Sequence, residues 1–473
     1  MKIFGVACLA LLPLQWFVVA GSPVGGSIRV HQVGIFVLTI GVLVSYGLKH
    51  SADIIHRFRV FLIANAYMYI IWAAVTVYSG TVPVEPISEM VYMVIFLAIS
   101  TYFYLAALSA DRGFVETLRW TGPATLAVLL VGLTLGSIQN GVDIFGVIRA
   151  SLVAVDPQII EFQLFRRVFG GFGYESEEVR TNFRHEIFGG LLFSMYVTGW
   201  AHSRVPFVGG LQSLVYRATM VLGAGLLLVS LSRSIIIAAA IWPLLLIGRA
   251  LVTGRVSKRN QFTGIAVLAG AVVMSLAGVW DLLMERFLGE TNSYETRAGN
   301  VGLALETIRE NFWLGQPDLT GETSAHNFVL DAWSSAGVFV GIPALIVFVT
   351  VYALWAAMLI RVPSMPDELL PVTAALGLPA IRLVTQGGGL LAIVEWVTLG
   401  FVAGVLVAAY RTAQVESAPD TSHRIAVAAA RAAAARAVGP RNASVAHPSA
   451  VPPPRSRPTS TRGIAEPVQL PLA

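Results

Sequence analysis

Three short stretches in an otherwise apolar chain combine residue types that can do chemistry. The first is His326-Asn327, which follows Thr323-Ser324 and precedes a long apolar run. With Thr323-Ser324 as its cap, a helix begins here, and an imidazole in its first turn feels the positive end of the helix dipole. A nearby arginine adds to that field, and both disfavour imidazolium. A neutral histidine can take a proton, so His326 is a candidate general base, with Asn327 to orient it or to donate to a reactant. The plain alternatives are an interfacial histidine with its hydrogen bonds satisfied and an asparagine that merely starts a helix. The second stretch is Ser230-Leu-Ser-Arg233-Ser, an arginine between two apolar runs. An arginine near a bilayer centre costs about 2.5–3.5 kcal/mol. Arg233 is therefore either a helix-end side chain reaching for water or a fixed cation holding an anion; a guanidinium grips phosphate oxygens in a bidentate fork. The third stretch opens at Arg297. Val301, Leu305, Ile308 and Phe312 recur at helical spacing there, and Asn300, Glu306, Arg309 and Glu310 take the other positions. That pattern predicts a helix lying flat in a membrane interface, with Arg297 in its first turn at headgroup level; the alternative is a solvated loop arginine.

The elements that must position these residues are membrane helices. Hydrophobic residues make up 56% and charged residues 12% of the chain, about half the charged share of a soluble domain. Repeated apolar runs of spanning length predict an all-α polytopic membrane protein with about 12 transmembrane helices. The expected spans are Ile3 to Ala20, Val30 to Leu48, Val60 to Ser79, Met90 to Ser109, Gly122 to Ser137, Ile187 to Ala201, Ala218 to Leu231, Ser234 to Ile247, Phe262 to Trp280, one within Phe328 to Leu359, Leu369 to Val384 and Leu390 to Ala409. The first reads as an uncleaved span rather than a signal peptide, because the apolar run is long and another follows at once.

Orientation follows from cations in short loops. With the N-terminus inside, the inward loops hold Lys49, Arg57, Arg59, Arg112, Arg119, Arg204, Arg217, Arg249, Arg255, Lys258, Arg259 and Arg361, against Arg29 and Arg382 outside. Both termini are then cytoplasmic, and two long polar segments, 138–186 and 281–325, face outward. The transmembrane domain covers 1–411. Residues 412–473 form a basic, Ala- and Pro-rich cytoplasmic tail, expected to be mostly disordered and to meet the anionic lipids of the inner leaflet. No groove-reading motif accompanies its arginines, so nucleic acid is not an expected partner. The one cysteine, Cys8, leaves no internal disulfide. His326, Glu322 and Asp318 lack metal-ligand spacing, and no Gly-rich loop is followed by Lys and Ser to cradle a phosphate. Arg382 and Glu395, at neighbouring ends of two spans, read as a structural ion pair.

In this order and topology the stretches resemble the O-antigen ligase and O-antigen polymerase family. The resemblance rests on Ser232-Arg233 at an outer junction, on Arg297 opening a stretch that ends in a Gly turn at Gly315, and on His326-Asn327 leading into a span that holds Gly337. More loosely, Asn182-Phe-Arg184-His-Glu-Ile-Phe-Gly189 is similar to the family segment before the middle span. It covers roughly residues 30 to 410. Val340 stands where the ligase pattern has Gly, Thr or Tyr, which favours polymerase.

The resemblance implies a glycosyltransferase of the cytoplasmic (inner) membrane with an outward active site. Such an enzyme moves a glycan from a polyprenyl diphosphate carrier to the hydroxyl of a glycan or lipid acceptor, with no cofactor, nucleotide sugar or metal. Arg233 and Arg297, with Arg184 third, are then the cations for the donor diphosphate. His326 is the base, with Asn327 beside it. The alternatives from the residues are a polytopic transporter or flippase for a lipid-linked or anionic solute, and a scaffold acting through its tail. Transporters tend to place polar sites at the midplane, whereas here they gather at one face.

Overall fold

The computed structural model describes residues 1–21, 27–47, 49–80, 82–109, 112–169, 183–207, 209–254, 276–289, 291–316, 324–385 and 391–417, together with the single positions 272 and 429. Helix dominates, as expected where a backbone in lipid must satisfy its own hydrogen bonds.

The first apolar run gives only α1 (Lys2–Ala10). Pro13 cannot continue a helix, so the chain turns and enters an antiparallel hairpin, β1 (Val18–Gly21) and β2 (Ser27–Arg29). The expected continuous span from Ile3 to Ala20 is thus a short helix plus a hairpin. Next come α2 (Val30–Tyr46), which stops at Gly47 with φ +61°, α3 (Ala52–Arg57), α4 (Arg59–Tyr78) and α5 (Val84–Leu108). The first half closes with α6 (Arg112–Leu118), α7 (Thr121–Asn140) and α8 (Ile144–Ala154). A helical stretch over 157–169, α9, follows with a π-helical middle. The second half holds α10 (Phe183–Arg204), α11 (Gly210–Val229), α12 (Arg233–Thr253), α13 (Val279–Met284) and α14 (Thr291–Glu310). It ends with α15 (Phe328–Ala336), α16 (Val338–Ile360), α17 (Leu370–Thr385) and α18 (Ile393–Ser417).

Eight helical segments among the described residues are long and apolar enough to cross a membrane. They are α4, α5, α7 joined to α6, α11, α12, α16, α17 and α18, so the protein is an all-α, multi-pass membrane protein. Of the remaining expected spans, α2 is shorter, and 262–271 lies outside the described residues. The sixth is α10, 22 residues long and buried from Ile187 to Ala201. Its polar side chains are turned inward as interhelical links: Thr125 donates to Ser194 at 2.9 Å, the Gly122 N–H donates to Thr198, and Tyr196 donates to the Ala238 carbonyl. A helix buried on all sides carries polar glue rather than lipid-facing leucines.

The tightest helix pair is α5 with α18. Gly400 and Gly404 sit on one face of α18, and a β-carbon at Gly404 would collide with the Ser100 carbonyl of α5. Small residues four apart let two backbones approach this closely. Contacts across helix ends show the up-and-down arrangement directly. At one end Arg382 of α17 pairs with Glu395 of α18 at 3.0 Å, Trp396 donates to Glu89 at the start of α5, and the starts of α10 and α12 meet. At the opposite end Arg249 of α12 pairs with Asp367 at 2.9 Å, Arg204 of α10 pairs with Glu368, and Arg411 of α18 meets Asp53 and Tyr104.

Candidate functional site

The junction between α11 and α12 is built by three serines and a strained leucine. α11 ends at Val229, and Leu231 turns the chain with φ +51°, a left-handed conformation that costs a β-substituted residue about 1–2 kcal/mol. Ser232 then caps α12, its hydroxyl accepting from the Ile235 N–H. The same hydroxyl lies 2.6 Å from Nδ1 of His185, and the Ser234 hydroxyl lies 3.0 Å from that nitrogen. His185, on the first turn of α10, therefore bridges the two serines that flank Arg233. Arg233 donates through Nε and Nη2 to the Arg286 carbonyl, in the π-helical turn after α13. Arg286 reaches back, donating to the Leu231 carbonyl at 3.3 Å and pairing with Glu161 of α9 at 3.6 Å. Two guanidinium groups are thus held at the junction, with Glu161 as a counterion to Arg286.

Arg297 and His326 are brought together by a glycine clasp. After α14 the chain turns at Gly315, φ +65°, and lies against the break between α15 and α16 at Gly337, φ +76°. The Gln316 N–H donates to the Ser334 carbonyl at 2.7 Å, and the Val338 N–H donates to the Phe312 carbonyl at 2.9 Å. Neither glycine has room for a side chain: a β-carbon at Gly315 would stand 2.5 Å from the Ala336 nitrogen, and one at Gly337 would collide with the Trp313 carbonyl. The break at Gly337 also divides the expected tenth span into two helices.

Several expectations shift here. α14 starts at Thr291, so Arg297 lies in its second turn rather than its first. Ala304 and Thr307 are the buried positions of α14, Arg297, Asn300, Val301 and Ile308 are half-buried, and Leu305 and, past the helix end, Phe312 are exposed. Small side chains pack closest on protein and Leu305 is left outward, as the expected interfacial helix allows. The cap of α15 is Asn327, not Thr323-Ser324: its Oδ1 accepts from the Val329 and Leu330 N–H groups at 3.1 and 3.2 Å. That oxygen is occupied by the helix, so Asn327 fills the helix-start role that its sequence position also allows. His326 lies before the cap, outside the helix, with φ +55°.

A brace holds this histidine. The Asp331 carboxylate, buried on α15, accepts from the Ser324 hydroxyl at 2.9 Å and from the Ala325 N–H at 2.6 Å. The Ser324 hydroxyl accepts from the His326 N–H at 3.1 Å, and Asn300 of α14 donates to the Ser324 carbonyl at 2.9 Å. The His326 ring is half-buried, and burial first, then the Arg297 charge, hold its imidazole below the ordinary histidine range. It is therefore neutral at pH 7 and able to take a proton.

Of the sequence candidates, Arg297 and His326 stand within electrostatic reach, and Arg233 is fixed by Arg286. The two groups bound the segment that runs from Arg286 through α14 to His326. Asn327 supports the helix, and the side chain of Arg184 lies outside the described residues. Three positions that build the candidate site are not apparent from the sequence. His185 is the residue after Arg184 in a stretch already singled out, but nothing local ties it to Ser232, 47 positions away. Arg286 lay unremarked in the polar segment, and Asp331 reads simply as an acidic residue in a helix's first turn. No protein-family profile matches the chain, and no curated protein matches its sequence.

Proposed function

We propose that this protein is a membrane glycosyltransferase. It transfers or polymerises glycan units from a polyprenyl diphosphate-linked donor onto a glycan acceptor, at the outer face of the cytoplasmic membrane. The observation that carries this reading is the neutral His326 imidazole, held on a braced loop beside the Arg297 guanidinium. In the reaction the acceptor hydroxyl gives its proton to His326 as its oxygen bonds the donor's anomeric carbon. The bond from that carbon to the diphosphate oxygen breaks, and the electron pair leaves with the lipid diphosphate. Negative charge grows on the leaving group, where Arg233 and Arg297 stabilise it, with Arg184 as a third cation.

In this reading the chain crosses about twelve times. The end carrying Arg204, Arg249 and Arg411 is cytoplasmic, as cations in short loops favour. Both termini are inside, segments 138–186 and 281–325 face outward, and the basic tail meets anionic lipid. Polymerase is preferred to ligase, from Val340 after Gly337.

The test is purified protein in nanodiscs, supplied with polyprenyl diphosphate-linked glycan and resolved on a gel. A ladder of products, cut to a slow residual rate in Arg297→Ala and His326→Ala, supports polymerase. A single shifted band that needs an added acceptor supports ligase. The second reading, a transporter or flippase, is favoured by one observation: Arg382 and Glu395 form an ion pair inside the helical bundle, 3% and 2% exposed. Donor binding without turnover, unchanged in both variants, selects it.

A further inference from the structure

We propose that Asp331 is a positioning residue for the His326 base, acting through the Ser324 brace and touching no substrate itself. This rests on the glycosyl-transfer reading above. A carboxylate 6% exposed is costly unless its oxygens are hydrogen-bonded. Both oxygens of Asp331 are engaged, and both face the loop that precedes His326: Oδ2 takes the Ser324 hydroxyl and Oδ1 takes the Ala325 N–H. Ser324 passes the constraint on, because the same hydroxyl accepts the His326 N–H. His326 sits at φ +55°, a conformation that surrounding bonds must maintain. The third tie is Asn300, one turn after Arg297 on α14, which donates to the Ser324 carbonyl. The carboxylate therefore fixes the backbone that carries the imidazole relative to α15, and Asn300 fixes the same loop relative to the helix that carries Arg297. The spacing between base and cation depends on both. Misplacing a reacting group by about 1 Å costs on the order of 10²-fold in rate, so the loss on cutting the brace falls on kcat.

The experiment is a double-variant cycle on the full-length protein in nanodiscs, with polyprenyl diphosphate-linked glycan as donor. Asp331→Ala is expected to lower kcat by about 10–100-fold and to leave the donor KM within about threefold. Asp331→Asn, which keeps an acceptor for the Ala325 N–H, recovers part of the rate. In a His326→Ala background the further loss from Asp331→Ala shrinks to within about threefold, because a residue acting through the base has nothing left to position. An undiminished loss in that background, or wild-type kcat in Asp331→Ala, overturns the proposal. Amide hydrogen exchange supplies a readout without turnover. Exchange at Ala325 and His326 should quicken at least about tenfold in Asp331→Ala, with α16 to α18 unchanged; unchanged exchange at those two amides overturns the brace whatever the activity. If the wild-type protein turns over no donor at all, the glycosyl-transfer reading falls, and exchange alone still decides whether Asp331 holds the loop.

Discussion

At the scale of single residues, the proposed chemistry rests on one imidazole whose proton affinity is set by its surroundings. Burial and the Arg297 cation both oppose imidazolium at His326, so its folded-state value lies below the ordinary one. The sign of a perturbation follows. Arg297→Gln removes a positive charge, so the His326 titration seen by ring NMR should move up, towards the ordinary value; a downward move or none shows that the two groups do not sense each other. Catalysis by a neutral base falls as pH drops through the folded-state value, so the acid limb of kcat should lie below the ordinary histidine range. The local sequence carried half of this. His326 after Thr323-Ser324, with an arginine nearby, was enough to expect a neutral ring. Whether Asn327 or Thr323-Ser324 caps the helix stayed open in the sequence, since all are capping residues and the choice depends on Asp331 claiming the serine.

At the scale of elements, the clasp between Gly315 and Gly337 places α14 on α15. Both glycines combine a left-handed backbone with a backbone neighbour where a β-carbon belongs. Gly315→Ala and Gly337→Ala should each lower stability by at least about 2 kcal/mol, from the conformational term plus the collision. Gly299 and Gly302 on α14 face open space. Alanine there removes only the entropic disadvantage of a helical glycine and should stabilise by about 0.5–1 kcal/mol. Thermal unfolding of the four variants in one detergent tests the contrast; equal effects at all four positions refute the clasp. The sequence marked Gly315 and Gly337 as punctuation. It did not show that they touch, because the contact joins a turn to a helix break across the loop between them. The helical repeat of α14 was legible too, but which positions pack on protein was not: Ala304 and Thr307 are buried while Leu305 is exposed, because beside lipid a large apolar side chain is equally content outside.

At the scale of the whole molecule, ionisable groups meet at both ends of the bundle, and the most buried pair among the described residues, Arg382 with Glu395, lies at the end where α10 and α12 start. Glu186 at the start of α10 stands within electrostatic reach of Arg382, Glu395 and Arg29, and Glu89 takes hydrogen bonds from Trp396 at 2.7 Å and Tyr69 at 3.2 Å. Removing one member of a buried pair strands the other. Arg382→Met should therefore destabilise by about 3–5 kcal/mol, and the double variant Arg382→Met with Glu395→Leu should recover most of it. Unfolding by detergent titration tests this, and a double variant as unstable as the single one points away from a structural pair. α18 continues to Ser417, beyond the boundary at residue 411 drawn from hydropathy, and Arg411 is anchored to Asp53 and Tyr104. A clean truncation therefore removes residues 418–473. It should leave glycan turnover within about twofold while weakening binding to anionic vesicles by roughly 1 kcal/mol per arginine lost near the surface; loss of turnover instead revives the scaffold reading.

The amino-acid sequence by itself determined that this is a helical membrane protein, where most helices lie, and that Arg233, Arg297 and His326 are its unusual polar residues, because apolar run length and lone charges in apolar context are local properties. Only the tertiary structure decided that the first apolar run ends in a hairpin, that α10 is a buried central helix held by hydroxyls, and that His185, Arg286 and Asp331 set the geometry of the site. Those outcomes depend on which faces and helix ends meet. A hydrogen bond between side chains far apart in the chain leaves no periodic trace in it.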